Sequence, residues 1–289
     1  MKELLVISGK GGTGKTTIVG SLAVVAENKV LADCDVDAAD LHLILRPQIL
    51  ETHQFYGLPK AKIDAGICTR CGGCLQVCRF GAVKKDYQID PTRCEGCGVC
   101  YHFCPAGAIT MVDHCCGHWY ISNSPYGPLV HAALGIAEEN SGKLVALVRE
   151  KSRALAKERG AQYILTDGPP GVGCPVIASL ASVDLALVVT EPTVAGRHDL
   201  DRVLDLTQHF RVPAAVCINK HDLEPGKTRE LEEYCRQRGI LVLGLVPFRQ
   251  EVNQAQVQGK PVVEYCRGPA AKAIEQLWEA VREMLDRES

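Results

Sequence analysis

The chain has 289 residues, 46% of them hydrophobic and 23% charged, with a net charge of −2. That length admits one large core or two domains, and that charge excludes bulk attraction to nucleic acid or to an anionic lipid surface. No stretch approaches the roughly 18 apolar residues of a membrane span, and the opening MKELLVISG is too short for a signal sequence, so a cytoplasmic protein is expected.

In chain order, the apolar run from Lys2 to Ser8 predicts a buried strand. It runs into Gly9-Lys10-Gly11-Gly12-Thr13-Gly14-Lys15-Thr16, which fits G-x-x-x-x-G-K-[ST], and then from Thr17 into a helix, TIVGSLAVVAEN. Strand, glycine loop and helix form the context that a phosphate-binding loop needs. Its backbone N–H groups wrap phosphate oxygens, and the helix end adds partial positive charge. Lys15 is expected on the β- and γ-phosphates and the Thr16 hydroxyl on Mg²⁺. Lys10 is a second lysine at a position the motif leaves free. The next strand, within NKVLADCDVDAADLHLIL, ends in Asp33, Asp35 and Asp37, at the ligand edge of a parallel sheet. Asp37 also suits a surface or capping role.

Fifteen cysteines, an odd number, argue against a disulfide scaffold. Eight of them fall between Cys68 and Cys104, in two segments offset by 26 residues. Each carries C-x₂-C-x₂-C-x₃-C, the bacterial ferredoxin pattern. Three close cysteines wrap one face of an iron–sulfur cube and the fourth points to the other cube. Cluster one is thus assigned to Cys68, Cys71, Cys74 and Cys104, and cluster two to Cys94, Cys97, Cys100 and Cys78. Structural zinc fits poorly, because a third cysteine at the same interval overfills a tetrahedron. Pro105 follows Cys104 as the pattern expects, but Arg79 follows Cys78, where a positive charge favours a reduced cluster. The module, about Leu58 to Asp113, is small for a free-standing core. Its clusters would act as staples and its two ends should lie close together. The domain division expected is therefore 58–113 inserted into 1–57 plus 114–289.

Among the other cysteines, Cys34, Cys217, Cys235 and Cys266 suit core positions on strands or helices. Cys115-Cys116-Gly117-His118 offers a third metal site, although adjacent cysteines bind one ion poorly. Farther on, AQYILTDGPPGVG predicts a strand reaching Asp167, with Cys174 seven residues beyond it. ASVDLALVVTEPT and AGRHDLDRVLDLTQHF predict a strand and a helix. VPAAVCINKHDL predicts a strand ending at Asn219, and GILVLGLVPF one ending at Pro247 and Phe248. Alternating strands and helices predict an α/β fold, a parallel sheet covered on both faces. The terminal AIEQLWEAVREMLDRES places Ile274, Leu277, Trp278, Val281, Met284 and Leu285 on one face, and its acidic balance favours docking on the sheet over membrane attachment.

The pattern K-G-G-x-G-K-T-T, from Lys10 to Thr17, resembles the deviant P-loop of the MinD/Mrp/nitrogenase iron protein class, and the resemblance extends over nearly all of 1–45 and 120–289. It implies a P-loop ATPase acting as a homodimer, with Lys10 reaching across to the partner's nucleotide; Lys10 could instead neutralise its own. It implies that Asp35 acts near the attacking water, that Asp167, in a Walker B-like D-x-P-P-G, holds Mg²⁺, and that Asn219 reads adenine beside Pro247 and Phe248. Asn219-Lys220-His221-Asp222 also fits the guanine-reading N-K-x-D, leaving GTP open. In the nitrogenase iron protein a cysteine at the offset of Cys174 ligates a cluster on the dimer axis, but its upstream companion has no counterpart in AEENSGKLV here. The whole chain resembles MinD-like ATPases carrying an inserted two-cluster ferredoxin domain. The leading expectation is an ATPase whose nucleotide state controls electron delivery from two [4Fe–4S] clusters. The alternatives are an Mrp-type cluster carrier or scaffold and a redox-sensing positioning ATPase. The partners implied are a redox or metal-cofactor-carrying protein, a paralogous ATPase among them, with no nucleic acid and no membrane.

Overall fold

The structure is a computed structural model and describes residues 1–135 and 141–287. β1 (Lys2–Ser8) leads through the glycine loop to α1 (Lys15–Val25), β2 (Lys29–Asp33), the short α2 (Leu41–Leu45) and β3 (Gln48–Tyr56). The cysteine-rich stretch holds β4 (Lys60–Ile63), α3 (Gly73–Val77), α4 (Val99–Phe103) and β5 (Ile109–Val112). Then follow β6 (Cys115–Ser124), β7 (Gly127–Leu134), α5 (Ser141–Arg159), β8 (Tyr163–Pro170), α6 (Cys174–Leu180), β9 (Leu185–Thr190) and α7 (Val194–His209). β10 (Ala214–Asn219), α8 (Pro225–Gln237), β11 (Leu241–Val246), α9 (Gln250–Val257), α10 (Val262–Tyr265) and α11 (Pro269–Arg287) complete the chain.

The chain divides into two compact units. The first comprises Met1–Thr52, Trp119–Ala133 and the chain from Ser141 onward. The second comprises His53–His118, joined among the described residues by Leu134 and Gly135, and so reaches further on both sides than the 58–113 module.

The main sheet has nine strands in the order β11-β10-β9-β1-β8-β2-β7-β6-β3. β1 lies parallel to both β8 and β9, β2 to both β8 and β7, and β10 to both β9 and β11. The reason is legible in β1. Leu4, Leu5, Val6 and Ile7 are all fully buried, as a strand covered on both faces requires. Leu4 and Val6 enter the core under α1 and α11, while Leu5 and Ile7 enter the one under α6, α7 and α8. α11 buries Ile274, Leu277, Trp278, Val281 and Leu285, with Met284 half-buried. Trp278 meets Tyr163 edge to face at 5.3 Å, so this helix docks on the core as expected.

β3, β6 and β7 were not anticipated. In β6, CCGHWYISNS alternates too irregularly for a period to stand out. Cys217 on β10 and Cys235 on α8 are buried, which pushes their thiols up to about 12 and about 11. Cys34 is buried just past β2, and Cys266 is half-buried just past α10, so these two lie beyond their elements rather than within them.

In the second unit the 26-residue repeat of the sequence becomes a repeat of backbone geometry. Cys68 N–H donates to Asp64 O at 3.0 Å and Cys94 N–H to Asp90 O at 3.1 Å. Gly72 and Gly98, with φ of 83° and 73°, open α3 and α4 in the left-handed conformation that a side chain resists. Gly81 N–H donates to Cys78 O at 3.3 Å and Gly107 N–H to Cys104 O at 3.1 Å. The halves pair by exchange. Ile63 of the first lies opposite Ile109 of the second, while Ile89 of the second lies opposite Val83 of the first. Gly57 N–H donates to His114 O at 3.2 Å, which brings the flanks of 58–113 together.

Candidate functional site

Two sites stand out, one in each unit. In the first, β1, β2, β8, β9 and β10 end at one edge of the sheet, where an open α/β fold binds its ligand. The glycine loop crosses this edge and enters α1. Gly14, with φ of 94°, caps the helix, and Asn219 Nδ2 donates to Thr13 O at 2.8 Å. A Cβ on Gly14 would lie 2.3 Å from that Nδ2, so only glycine allows this tie. Gly11 and Gly12 face open space, Thr17 is buried, and Gln256 donates to the Thr17 hydroxyl.

The charges converge beneath the loop. Lys15 is only 5% exposed, and its Nζ lies 3.9 Å from Asp35 Oδ2. Asp33 and Asp167 are register partners on β2 and β8, both buried. Asp33 is satisfied by the N–H groups of Asp35 at 3.1 Å and Leu41 at 3.2 Å. Burial and the neighbouring Asp167 push its carboxyl well up. Asp167 differs. Neither of its buried oxygens has a hydrogen-bond partner. Burial pushes it up to about 6 against the opposing pull of Lys15. Asp35 is likewise pushed up to about 6 by burial, with Lys15 opposing. Asp37 is exposed. An orphaned buried carboxylate beside a P-loop hydroxyl is costly unless a cation completes it, and the donor set suits the hard, oxygen-seeking Mg²⁺.

Other motif residues take less expected partners. Both carboxylate oxygens of Asp222 are engaged, Oδ1 by Phe248 N–H at 2.7 Å and Oδ2 by Arg249 Nη1 at 2.5 Å. Lys10 Nζ lies 3.5 Å from Glu191 Oε2, within its own chain. Glu191 was missed by the sequence reading. The signal was present, since it is an acidic residue directly after a buried strand, close to the rule that singled out Asp33. Phe248 is exposed just beyond β11, after Pro247.

In the second unit, one cavity is lined by Cys68, Cys71, Cys74 and Cys104 together with Pro105. Another is lined by Cys78, Cys94, Cys97 and Cys100 together with Phe80. Each thus joins three cysteines of one repeat to the fourth of the other, a direct consequence of the exchanged strand pairing. Burial pushes the Cys74 thiol up, and its neighbours Cys68 and Cys71 push it further. Cys100 behaves alike, with Cys94, Cys78 and Cys97 around it. Four clustered thiols resist ionising together unless a cationic core offsets their charge. Ala108 N–H donates to Cys104 Sγ at 3.3 Å, a contact that tunes a thiolate ligand. Arg79 stacks its guanidinium 5.3 Å from the Phe80 ring. A surface groove shares Ile63, Cys68 and Tyr87 with the first cavity and Ala61 and Ile89 with the second. A molecule seated there would stand one side chain from either.

Among the described residues no three His, Cys, Asp or Glu side chains converge as ligands of one metal ion. The thiols of Cys115 and Cys116 donate to the carbonyls of Gly117 and His114. Cys174 is exposed at the start of α6. Of the AEENSGKLV stretch, 137–140 lie outside the described residues and Ser141 opens α5. No helix among the described residues is long and apolar enough to cross a membrane.

The family model of the CobQ/CobB/MinD/ParA nucleotide-binding domain matches residues 4–262. The chain belongs to this family. It is 37% identical over 221 residues to the uncharacterized protein MJ0578 of Methanocaldococcus jannaschii, covering 75% of this chain and 78% of that one. It is 27% identical over 154 residues to an iron–sulfur cluster carrier protein of Pyrococcus horikoshii, covering 48% of this chain and 51% of the relative. Its fold resembles the septum site-determining protein MinD of Pyrococcus horikoshii, solved with Mg-ADP, with a TM-score of 0.61, 17% identity and coverage of 100% of this chain and 98% of that one.

Proposed function

We propose that this protein is a Mg²⁺-dependent ATPase whose nucleotide state and dimerisation control electron transfer from two [4Fe–4S] clusters to a partner protein. The observation that carries the reading is the pair of four-cysteine cavities, crossed between repeats, in a chain that also carries a complete phosphate loop. Cys68, Cys71, Cys74 and Cys104 would hold one cluster, and Cys94, Cys97, Cys100 and Cys78 the other. A four-iron cube takes one cysteine per iron, so its ligands need not converge on one ion. Such clusters supply one-electron transfer.

At the nucleotide site, Gly9 to Gly14 and the start of α1 bind phosphate oxygens through backbone N–H groups. Lys15, fixed by burial, neutralises charge on the transferred phosphoryl group. Thr16 and Asp167 would hold Mg²⁺, which neutralises phosphate charge when bound. Asp35, beside Lys15 at 3.9 Å, orients water for attack. Asn219 ties the loop to β10 and, with Pro247 and Phe248, borders the base. Adenine is favoured over guanine because Asp222, the acidic residue of N-K-x-D, already spends both oxygens on Phe248 and Arg249. In this reading two chains face each other across the nucleotide, with Lys10 reaching the partner's phosphates. The electron acceptor is a redox or metal-cofactor-carrying protein, or a paralogous ATPase.

Two observations favour a second reading, an iron–sulfur carrier. Cys71 and Cys97 are exposed, and a relative bears the name of such a carrier. Anaerobic reconstitution followed by iron and sulfide analysis and EPR separates the readings. Electron transfer predicts eight irons per chain, retained through many ATP turnovers. Loss of iron to an acceptor apoprotein in step with hydrolysis would establish the carrier instead.

A further inference from the structure

Glu191 lies one residue past β9, with a side chain only 13% exposed. Its carboxylate meets two lysines from two different nucleotide motifs. Oε1 accepts from Lys220 Nζ at 2.5 Å, and Oε2 lies 3.5 Å from Lys10 Nζ. Lys220 belongs to N-K-x-D at the end of β10, and Lys10 is the extra lysine of the glycine loop. The backbone of Glu191 is held as well. Thr193 N–H donates to its carbonyl at 2.8 Å, and a Cβ on Gly196 would come within 2.3 Å of that oxygen, so α7 starts here only because Gly196 has no side chain. α7 in turn packs on the loop, since a Cβ on Gly9 would meet the Asp199 backbone oxygen at 2.7 Å.

We propose that Glu191 is a positioning residue that parks Lys10 inside its own chain until nucleotide phosphates draw it away. The two loop lysines make the case by contrast. Lys15 is 5% exposed beneath the loop, beside Asp35, whereas Lys10 is 37% exposed, so its pairing is screened by water and easily exchanged. A nearly buried carboxylate stripped of its only cation would oppose that exchange. Glu191 is spared this because the tighter Lys220 pair stays behind. Lys10 can therefore leave for a more highly charged phosphate without stranding the carboxylate. The inference rests on the reading of Lys10 as a phosphate ligand across the dimer. It adds the residue that keeps Lys10 out of play before nucleotide binds.

The test uses the full-length, cluster-loaded protein. Lys10 is labelled with a limiting amine-reactive succinimidyl ester without nucleotide, and its modification rate is read by mass spectrometry. Glu191→Gln should raise that rate at least threefold, and Glu191→Asp should restore protection, with both variants melting near the wild type. In sedimentation with a slowly hydrolysed ATP analogue, Glu191→Gln should tighten the dimer about tenfold, and Lys10→Ala should erase that gain. A Lys10 labelling rate unchanged by Glu191→Gln overturns the parking. A labelling rise in a chain that never dimerises with nucleotide supports the parking and refutes action across a dimer. A tightening that persists in the Lys10→Ala background assigns Glu191 a general repulsive role and overturns the proposal.

Discussion

The two units bury their chemistry in different ways. In the P-loop unit the reactive side chains stand on a sheet whose central strands are wholly covered, and Lys15, Asp33 and Asp167 are each at most 5% exposed. In the cysteine unit α3 and α4 contain no buried residue, and Val99, Tyr101 and Phe103 are exposed apolar side chains. The first site is organised by a hydrophobic core. The second has little core beyond such residues as Ala61, Ala82, Val83, Ala108 and Ile109, so metal–sulfur bonds would have to supply its organisation. Burial holds a site in place from outside, whereas a cluster holds its site from within.

The sharpest way to break this contrast is to reconstitute the proposed clusters and then remove their iron. Chelation should drop amide-exchange protection across 58–113 to that of an unfolded chain, while the strands β1, β8 and β9 keep theirs. Equal loss in both units would dissolve the distinction. Next in size is the buried ion pair at the far end of β1. Glu3 accepts from Arg149 Nε at 2.9 Å and from Arg153 Nε at 2.8 Å, and both carboxylate and Arg149 are nearly fully buried. Glu3→Gln leaves a buried guanidinium unpaired and should cost about 3–5 kcal/mol in denaturant unfolding, without changing iron content. Lys15→Ala should lower ATP hydrolysis by about 10²–10³-fold, again with iron unchanged. A parallel loss of iron would show that the sites are not built independently.

How much of this was legible in sequence follows the same line. β1, β2, β8, β9 and β10 announce themselves as apolar runs that end in polar ligand-edge residues, because total burial leaves no room for other patterns. The crossed grouping of the cysteines around two cavities was legible because a duplicated motif carries its own symmetry. β3 was hidden, since Ile49 and Leu50 are adjacent and both exposed on an edge strand, which no periodicity marks. The five-residue α2 is too short for a helical pattern. The partnership of Lys10 with Glu191 joins residues 181 positions apart, and that of Asp222 with Arg249 depends on how β10 and β11 align. Local pattern carries no record of either.

The smallest expected effect concerns protons. Asp35 and Asp167, both raised to about 6, bind protons in the nucleotide-free fold at pH values where the unfolded chain has lost them. The native state therefore holds more protons between about pH 4 and 6, so these two groups make stability fall as pH rises through that window. Relative to Asp35→Asn/Asp167→Asn, the nucleotide-free wild type should lose about 1–3 kcal/mol from pH 4 to pH 7 in chemical denaturation. Mg-ATP should reverse the trend, because a cation needs the ionised carboxylate. A flat difference would mean that Asp167 is already ionised and partnered.

In the proposed function nucleotide and clusters are thermodynamically linked, and an anaerobic redox titration of the clusters, followed by EPR with and without Mg-ATP, decides whether they are. A shift of about 60 mV or more is expected, a tenfold change in a one-electron equilibrium. An unmoved potential in protein that holds eight irons and hydrolyses ATP would contradict that equilibrium link.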